Sequence, residues 1–337
     1  MNRIKNIFLM LCFACVITVV YGAYEIARPL NLQEDAILTL EKGKPAGQFF
    51  RKMEAFGWIN DSRWVRLWLK VSRQGARIHA GDYRLTPGMS TLGVVDIMLR
   101  GKTVQYQVTL VEGQRLSDAL LRMKNNEKIS YDLPPIEELM GFLNLEGHYE
   151  GRFYPDTYLF SANTKASEIL RNANIRLERV LAEEWQNRAE NLPYQTPYEA
   201  LTMASIVEKE TAVAEERFEI AGVFVRRLQQ NMRLQTDPTV IYGLGEGYSG
   251  NITRQHLLTS TPYNTYRING LPPTPIALVS RAAIHAALHP DNSNALYFVA
   301  KGNGHHYFSA TLEEHNRAVR EYQIKRRADN YRSTPEK

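Results

Sequence analysis

Two glutamates stand two positions apart near the end of a mostly apolar segment, and both have the chemistry for acid–base catalysis. The segment is ASIVEKET at 204–211, so the carboxyl groups belong to Glu208 and Glu210. Apolar neighbours desolvate a carboxyl group and raise its pKa toward the neutral range, where a general acid must work. Two ordinary surface glutamates on a helix would give the same pattern, and this segment alone leaves both interpretations open.

The residues before this segment predict where its helix begins. Thr196 can cap the helix, Pro197 suits the first helical position, and Glu199 completes a capping-box pattern. The helix is then predicted to continue without a break through Glu210. Both candidate carboxyl groups therefore lie in its last turn.

The helical repeat of about 100° per residue gives each side chain a direction. Four residues form one apolar stripe: Ala200, Met203, Ala204 and Val207. Thr202 and Lys209 are predicted to point away from this stripe, whereas Glu208 and Glu210 border it on opposite sides. Residues two apart on a helix diverge, so the two glutamates are a poor catalytic pair. The geometry does not say which of them matters more.

Three loops downstream carry side chains that suit a carbohydrate. They are RLQTDPTVIYG at 233–243, TPYNTY at 261–266 and GLPPTPI at 270–276, which together are rich in Tyr, Asn, Gln and Thr. Sugar hydroxyls need hydrogen-bond donors and acceptors, which amide and hydroxyl side chains supply, and a sugar ring can stack on an aromatic face. The alternative is rigid loop packing by Pro and Gly without a ligand.

The N-terminus indicates a membrane anchor. Residues 7–24 form an 18-residue run without a charge. As a helix this run spans roughly 27 Å, near the thickness of a bilayer core. Arg3 and Lys5 precede it, so the positive-inside rule keeps residues 1–6 in the cytoplasm and exports the rest. The alternative is a cleaved signal peptide. Residues 20–22 fit the small-residue cleavage site of such a peptide poorly, which disfavours this alternative.

Both cysteines, Cys12 and Cys15, lie inside the apolar run. The exported part therefore has no disulfide and no cysteine-ligated zinc, and its core alone must stabilise it. Lipid modification of Cys15 is a further alternative, but the residues before it are a poor approach for that modification. The lack of disulfides suits a bacterial periplasmic or outer-face protein better than a small secreted domain.

Composition narrows the class of protein. The 337 residues are enough for two domains, and 44% hydrophobic with 23% charged residues excludes wholesale disorder and a polytopic membrane protein. The net charge of +5 falls to +3 once Arg3 and Lys5 are set aside. This weak bias predicts no nucleic-acid partner.

The remaining pattern predicts a mixed α+β architecture. A small α+β unit precedes residue 111, and its predicted elements are a strand at 36–40, a helix at 45–58, a helix capped by Asp61, a strand at 81–85, a helix capped by Ser90 and a strand at 103–111. Helical segments dominate beyond it, including a long helix at 166–188. An aromatic-rich loop, EGRFYPDTY, lies at 150–158.

Several segments together resemble the endolytic murein transglycosylase family, also called YceG-like. The matching stretches are ASIVEKET at 204–211, RLQTDPTVIYG at 233–243, TPYNTY at 261–266, GLPPTPI at 270–276, EGRFYPDTY at 150–158, LYFVAKGNGHHYFS at 296–309 and HN at 315–316. The order of the parts agrees as well, and the resemblance covers nearly the whole chain.

The resemblance implies a chain in four parts. These are a cytoplasmic stub at 1–6, a transmembrane anchor at 7–24, a small LysM-like α+β subdomain at 25–111 and a mixed α/β catalytic domain at 112–330. The protein would be a single-pass inner-membrane protein with its bulk in the periplasm. Its partners would be peptidoglycan glycan strands, the inner membrane and, from the family only, peptidoglycan synthases.

The resemblance also implies the reaction. The family cleaves the bond between N-acetylmuramic acid and N-acetylglucosamine in nascent strands, forms 1,6-anhydro-muramic ends and terminates strand elongation, without a cofactor. The catalytic residue would be the second glutamate of the motif, Glu210, with Glu208 as a supporting residue. The expected substrate-binding residues are Gln235, Asp237, Tyr242, Tyr263, Asn264, Tyr266 and Glu150.

Two other functions stay open at this point. A hydrolytic muramidase would pair Glu210 with Asp237 or with Glu208, although Asp237 precedes Pro238 and is as easily a turn former. A glycan-binding scaffold without chemistry would use the LysM-like part, and an intact Glu210 argues against it.

Three further patterns carry weak signals. His285 and His289 have a spacing that can bind zinc, but no glutamate follows His285, so no metal site is expected. The stretch 243–247 resembles a phosphate loop only loosely and predicts a flexible turn. His305 and His306 are expected to shape a loop.

Overall fold

The computed structural model describes residues 2–325 of the chain. Its helices are α1 (Asn2–Ala27), α2 (Ala46–Ala55), α3 (Ser62–Val71), α4 (Thr91–Leu99), α5 (Leu116–Lys124), α6 (Leu139–Leu143), α7 (Ala166–Gln186), α8 (Pro197–Glu210), α9 (Glu216–Gln229), α10 (Asp237–Leu244), α11 (Arg254–Leu258), α12 (Arg281–Leu288) and α13 (Leu312–Val319). Its strands are β1 (Ala36–Leu40), β2 (Gly81–Leu85), β3 (Gln105–Thr109), β4 (Ile129–Ser130), β5 (Thr157–Ser161), β6 (Thr164–Lys165), β7 (Tyr297–Ala300) and β8 (His306–Ser309). The expected α+β class is confirmed.

The chain divides into two compact units. The first holds the chain up to Gln107 together with Glu127–Ser130 and Leu159–Thr164, and the second holds the remainder. The sequence pattern did not predict that two later segments return to the first unit. They return because β5 pairs with β3 and β4 pairs with β6. The expected end of the catalytic domain, residues 326–330, lies outside the described residues.

The first unit is built on an antiparallel pair of strands. β1 pairs with β2 so that Ala36 is opposite Leu85 and Leu40 is opposite Gly81. Helices α3 and α4 begin at the predicted caps, because the side chains of Asp61 and Ser90 accept hydrogen bonds from backbone N–H groups of the first turn. The core consists of large apolar side chains, among them Phe49, Phe50, Met53, Tyr83, Leu85, Val94 and Met98.

One helix in the described part of the chain, Ile4–Ala27, is long and apolar enough to cross a membrane. It contains the predicted span at 7–24. The side chains from Ile4 to Tyr21 are all exposed, whereas an apolar surface of this size is normally covered by protein or lipid. Both cysteines are on this exposed helix.

Helix α8 is the central helix of the second unit. It packs against α7, α9, α10 and α12, and every residue from Ala200 to Val207 is buried. The expectation that Thr202 points away from the buried face is therefore wrong, because neighbouring helices enclose α8 on all sides. The hydroxyl groups of Thr202 and Ser205 remain satisfied by donating to backbone carbonyl groups one turn earlier, at 2.9 and 2.7 Å.

Of the two hydrogen bonds that a capping box would form at the start of α8, one is present. Thr196 Oγ1 accepts from Glu199 N at 3.2 Å. The Glu199 carboxylate accepts from Gln195 N, one residue before the cap, instead of closing the capping box on Thr196. The cap fixes where α8 begins, and the helix then runs for fourteen residues, from Pro197 to Glu210.

Candidate active site

Glu210 is the last residue of α8, and its half-buried side chain lies in the wall of a pocket of about 480 Å³. This volume is within the range of small-molecule sites, about 300–1,000 Å³. The loop before α10, strand β7 and helix α13 supply most of the remaining wall. Six lining side chains bear on its chemistry: Glu210, Arg227, Gln235, Thr236, Asp237 and Tyr266.

The carboxyl group of Glu210 has the protonation equilibrium of a general acid. Removal of water raises its pKa to about 7, the nearby charge of Asp237 raises it as well, and a hydrogen bond donated by Thr236 Oγ1 restrains the rise. A carboxyl group with this pKa is present in both forms at neutral pH. It can therefore donate a proton and later accept one.

A network of threonines holds Thr236 against Glu210. Thr236 N donates to Thr265 Oγ1 at 3.0 Å, and Thr239 Oγ1 donates to Thr236 O at 2.9 Å. The preceding residue, Gln235, has φ +54°, a left-handed conformation that is uncommon outside glycine. This turn exposes the Gln235 side chain to the pocket while Thr236 stays buried.

The guanidinium group of Arg227 ties this loop to the neighbouring strand. It is buried and donates to Leu234 O at 2.8 Å and to Leu296 O at 2.7 Å. It also lies 5.1 Å from the centre of the Tyr297 ring, within cation–π range. Arg227 thus fixes the loop that carries Gln235 and Thr236.

Asp237 is the second carboxyl group of the pocket. It is the first residue of α10, and its Oδ1 accepts from the Tyr266 hydroxyl at 2.7 Å. Burial raises the pKa of Tyr266, and the bond to Asp237 adds to this effect, so the phenol stays protonated and acts as a donor. The structure therefore brings Gln235, Asp237 and Tyr266 into one pocket with Glu210.

Glu208 has a different environment. Its Oε2 accepts from Ser280 N at 2.8 Å and from Ser280 Oγ at 2.5 Å, and its Oε1 lies 3.8 Å from Arg217 Nη2. The side chain is 3% exposed and is outside the pocket lining. Glu208 therefore joins the end of α8 to the start of α12, which suits a supporting residue.

Asn264 is buried, and both ends of its amide are used by α11 and the loop that follows it. Nδ2 donates to Thr259 O at 2.6 Å and lies 3.1 Å from both His256 O and Leu257 O, while Oδ1 accepts from Tyr266 N at 3.0 Å. Asn264 therefore positions its loop and does not present its amide to a ligand. The same loop carries Tyr266, whose side chain lines the pocket.

Glu150, Tyr242 and Tyr263 form a separate cluster outside the pocket lining. Glu150 is buried, and its Oε1 accepts from Leu116 N at 2.9 Å. Burial raises the Glu150 pKa to about 7, while this bond and one from Tyr242 act in the opposite direction. The rings of Tyr242 and Tyr263 lie 4.9 Å apart. The cluster contains a second neutral-range carboxyl group, but one without exposure to a ligand.

The pocket also contains residues to which the sequence pattern gave no role. Besides Thr236 and Arg227, it is lined by Tyr297 and His315, whose rings stack 5.2 Å apart. His315 Nδ1 is buried without a hydrogen-bond partner in the described part of the chain. Thr236 had a usable signal, because it precedes Asp237-Pro238 where helix caps are common. Arg227 had none, since it resembles any surface cation near a helix end.

Replacing Glu210 by Gln should stabilise the fold at alkaline pH. The folded pKa of about 7 is above the ordinary value of 4.5, so stability from this group is complete below pH 4.5 and is lost as pH rises through 7. Glutamine cannot ionise and escapes this loss, which is on the order of 1–3 kcal/mol. Thermal unfolding of both forms at about pH 5 and pH 8 tests the sign. If the melting temperatures of the variant and the unmodified protein differed by the same amount at pH 5 and at pH 8, the raised pKa of Glu210 would be contradicted.

Among the described residues, one group could hold a metal ion, namely Glu184, His285 and His289, and it is outside the pocket. The stretch 243–247, which loosely resembled a phosphate loop, is the end of α10 and a short 3-10 turn.

His306 lines the pocket, and its backbone N–H donates to Glu216 at 2.9 Å.

Comparison with known proteins gives a consistent result. The profile of the YceG-like family matches residues 38–321. A protein of Bacillus subtilis strain 168 named endolytic murein transglycosylase is 33% identical over 273 residues, which are 75% of this chain and 75% of that protein. A protein of the same name from Streptococcus pneumoniae D39 is 33% identical over 282 residues, 73% of this chain and 51% of its own. This chain thus matches about half the length of the streptococcal protein.

A solved structure agrees with these matches. The 2.6 Å crystal structure of a YceG-like protein from Listeria monocytogenes shares 31% identity and superimposes with a TM-score of 0.52. The match covers 85% of this chain and 99% of the Listeria chain.

Proposed function

Because the chain belongs to the YceG-like family, we propose that it is an endolytic murein transglycosylase. It cleaves peptidoglycan glycan strands internally, between N-acetylmuramic acid and N-acetylglucosamine, and leaves 1,6-anhydro-muramic ends. The observation that carries this proposal is the pocket carboxyl group of Glu210, whose pKa of about 7 allows it to serve as acid and base in turn.

In this mechanism one carboxyl group performs both proton transfers. Protonated Glu210 donates to the glycosidic oxygen as the bond breaks, and positive charge develops on the muramic ring. The Glu210 carboxylate then takes the proton of the C6 hydroxyl, whose oxygen closes the anhydro ring. The nucleophile belongs to the substrate, so its proximity replaces an activated water.

The other pocket residues have supporting roles in this proposal. Asp237 presents negative charge near the developing oxocarbenium ion, and Tyr266 holds that carboxylate through the 2.7 Å hydrogen bond. Gln235 contacts the glycan from the exposed side of its turn. Arg227 holds the loop that carries Gln235, and Thr236 holds the Glu210 side chain through its hydrogen bond. Asn264 holds the loop that carries Tyr266.

A hydrolytic muramidase is the second candidate, and one observation favours it. Asp237 is in the same pocket as Glu210 and raises its pKa, as the second carboxyl group of a glycosidase pair would. One of its oxygens is engaged by Tyr266. Glu208 is a weaker partner, because Ser280 and Arg217 occupy its carboxylate.

We further propose that the N-terminal helix anchors the protein in the inner membrane, with residues 1–6 in the cytoplasm and the bulk in the periplasm. The exposed apolar side chains of α1 and the two basic residues near its start, Arg3 and Lys5, support this. The small α+β part at 25–111 would be a LysM-like glycan-binding subdomain, and the catalytic domain would follow it. Anchoring confines cleavage to strands near the membrane, where synthases elongate them.

Alkaline carbonate extraction tests the anchor. We expect the protein to stay with the membrane fraction and its mature N-terminus to precede residue 7. Release of a soluble form that begins near residue 23 would contradict the anchor and indicate a cleaved signal.

Endolytic cleavage is tested by the length distribution of the products. Purified full-length protein is incubated with long glycan strands in detergent, and strand lengths are followed by chromatography. Internal cleavage shortens the mean length early while few disaccharides form. Early accumulation of disaccharides at unchanged strand length would contradict the endolytic mode.

The pH profile of cleavage should depend on Thr236. Glu210 must begin protonated, so kcat/KM should fall as pH rises above about 7. Thr236→Val removes the hydrogen bond that lowers the Glu210 pKa, so the alkaline limb should move to higher pH. Thr236→Ser keeps a hydroxyl group and should retain the original limb. A shift of the Val variant to lower pH would contradict this account.

A further inference from the structure

Three metal-ligating side chains meet away from the pocket, at the ends of two helices of the second unit. Glu184 is in the last turn of α7, His285 is in the last turn of α12, and His289 directly follows α12. One nitrogen or oxygen atom from each lies within 4.8 Å of the other two. The sequence prediction weighed only the two histidines and rejected zinc because no glutamate follows His285, as a zinc-protease motif would require. Folding supplies a glutamate from α7.

We propose that Glu184, His285 and His289 bind a divalent transition-metal ion, of which Zn²⁺ is the best fit. Two imidazoles and one carboxylate form a donor set typical of this ion, with water as the fourth ligand. A tetrahedral ion with bonds of about 2.0–2.2 Å holds its donors roughly 3.3–3.6 Å apart. Glu184 Oε2 and His285 Nδ1, which lie 2.7 Å apart here, must therefore separate slightly to admit the ion. His285 is exposed and His289 is half-buried, so ring rotation can supply that movement.

The carboxylate is already aimed at the imidazole. Glu184 is buried, and its Oε2 lies 2.7 Å from His285 Nδ1. Its other oxygen, Oε1, accepts from Arg281 Nε at 2.7 Å. The ion would replace the hydrogen between Oε2 and Nδ1, while Arg281 keeps the carboxylate in place. Outer hydrogen bonds of this kind orient the ligands of protein metal sites.

The second imidazole is oriented in the same way. His289 Nε2 lies 2.7 Å from Asn187 O, and a hydrogen on Nε2 satisfies this carbonyl group. Nδ1 lies 3.1 Å from His285 O, and without a hydrogen it carries an electron pair that can bind a metal ion once the ring rotates away from that carbonyl group. The ring also stacks on His285, with centroids 4.1 Å apart, which brings the two imidazoles to the same site.

The location of the site indicates a structural role. Glu184 belongs to α7 and both histidines to the end of α12, and each of these helices packs against α8. A bound ion would link α7 to α12 around the helix that ends in Glu210. The cluster is separate from the pocket lining, so this inference does not depend on the proposed reaction.

Calorimetric titration of the chelator-treated full-length protein with Zn²⁺ tests the proposal. We expect one equivalent to bind and to raise the melting temperature. His289→Gln and Glu184→Gln should each weaken binding by more than the roughly 10–100-fold that loss of an outer partner costs. His256→Ala removes a histidine outside the cluster and should leave affinity unchanged. No saturable binding, or unchanged affinity in both cluster variants, would overturn the proposal.

Cobalt absorption gives an answer that requires no variant. Co²⁺ is substituted for Zn²⁺ in the unmodified protein, and its visible spectrum reports the coordination geometry. We expect the intense bands of a four-coordinate nitrogen and oxygen site that one equivalent of Zn²⁺ abolishes. A spectrum equal to that of the aqueous ion would overturn the proposal, even if a variant fails to fold.

Discussion

Glu210→Gln should abolish glycan cleavage and leave the fold intact. The amide has nearly the shape of the carboxyl group, but it cannot donate a proton as an acid or take one as a base. We expect cleavage to fall by roughly 10²–10⁴-fold or more, the contribution of a positioned general acid–base. The rate of release of new strand ends from purified glycan measures this directly, and the melting temperature of the variant verifies folding.

Glu208→Gln is the matched control, two residues away on the same helix. Its amide oxygen can still accept from Ser280 N, which now bonds to Oε2 at 2.8 Å. We therefore expect a much smaller loss of activity, arising from a looser junction between the ends of α8 and α12. If Glu208→Gln were inactive and Glu210→Gln active, the assignment of the acid would be wrong, although the reaction class could survive.

The sequence predicted the helix around these residues well, and the reason is local chemistry. Thr196 and Pro197 specify the start of α8 through capping and a fixed φ angle, which act within one turn. The sequence also placed Glu208 and Glu210 on opposite sides of the buried face, and the structure gives them separate partners. The burial of Thr202 was missed because packing by four neighbouring helices is a tertiary effect that helical periodicity does not contain.

The candidate site was predictable in part. Gln235, Asp237 and Tyr266 share the pocket with Glu210, whereas Glu150, Tyr242 and Tyr263 form a separate cluster. Loops rich in polar and aromatic residues indicate a ligand, but the sequence does not say which loops meet. The metal-ligand cluster was missed for the same reason, because Glu184 stands 101 residues before His285 and only the fold brings them together.

The products should end in 1,6-anhydro-muramic acid, with no water added. Among the described residues of the pocket, Glu210 has the protonation equilibrium of the acid, while the carboxylate of Asp237 is engaged by Tyr266. The C6 hydroxyl of the substrate is then the nucleophile, and solvent takes no part in the bond that forms. Mass spectrometry separates the two outcomes, because an anhydro end is lighter than a reducing end by one water.

Digestion in ¹⁸O-water is the most direct test of this mechanism. Purified full-length protein is incubated with glycan strands in labelled water, and the new ends are analysed by mass, with Glu210→Gln as the inactive control. The account predicts anhydro ends without label, because the oxygen that attacks C1 comes from C6 of the same sugar. Reducing ends with one ¹⁸O at the anomeric carbon as the main product would contradict it and identify a muramidase that uses Glu210 with Asp237.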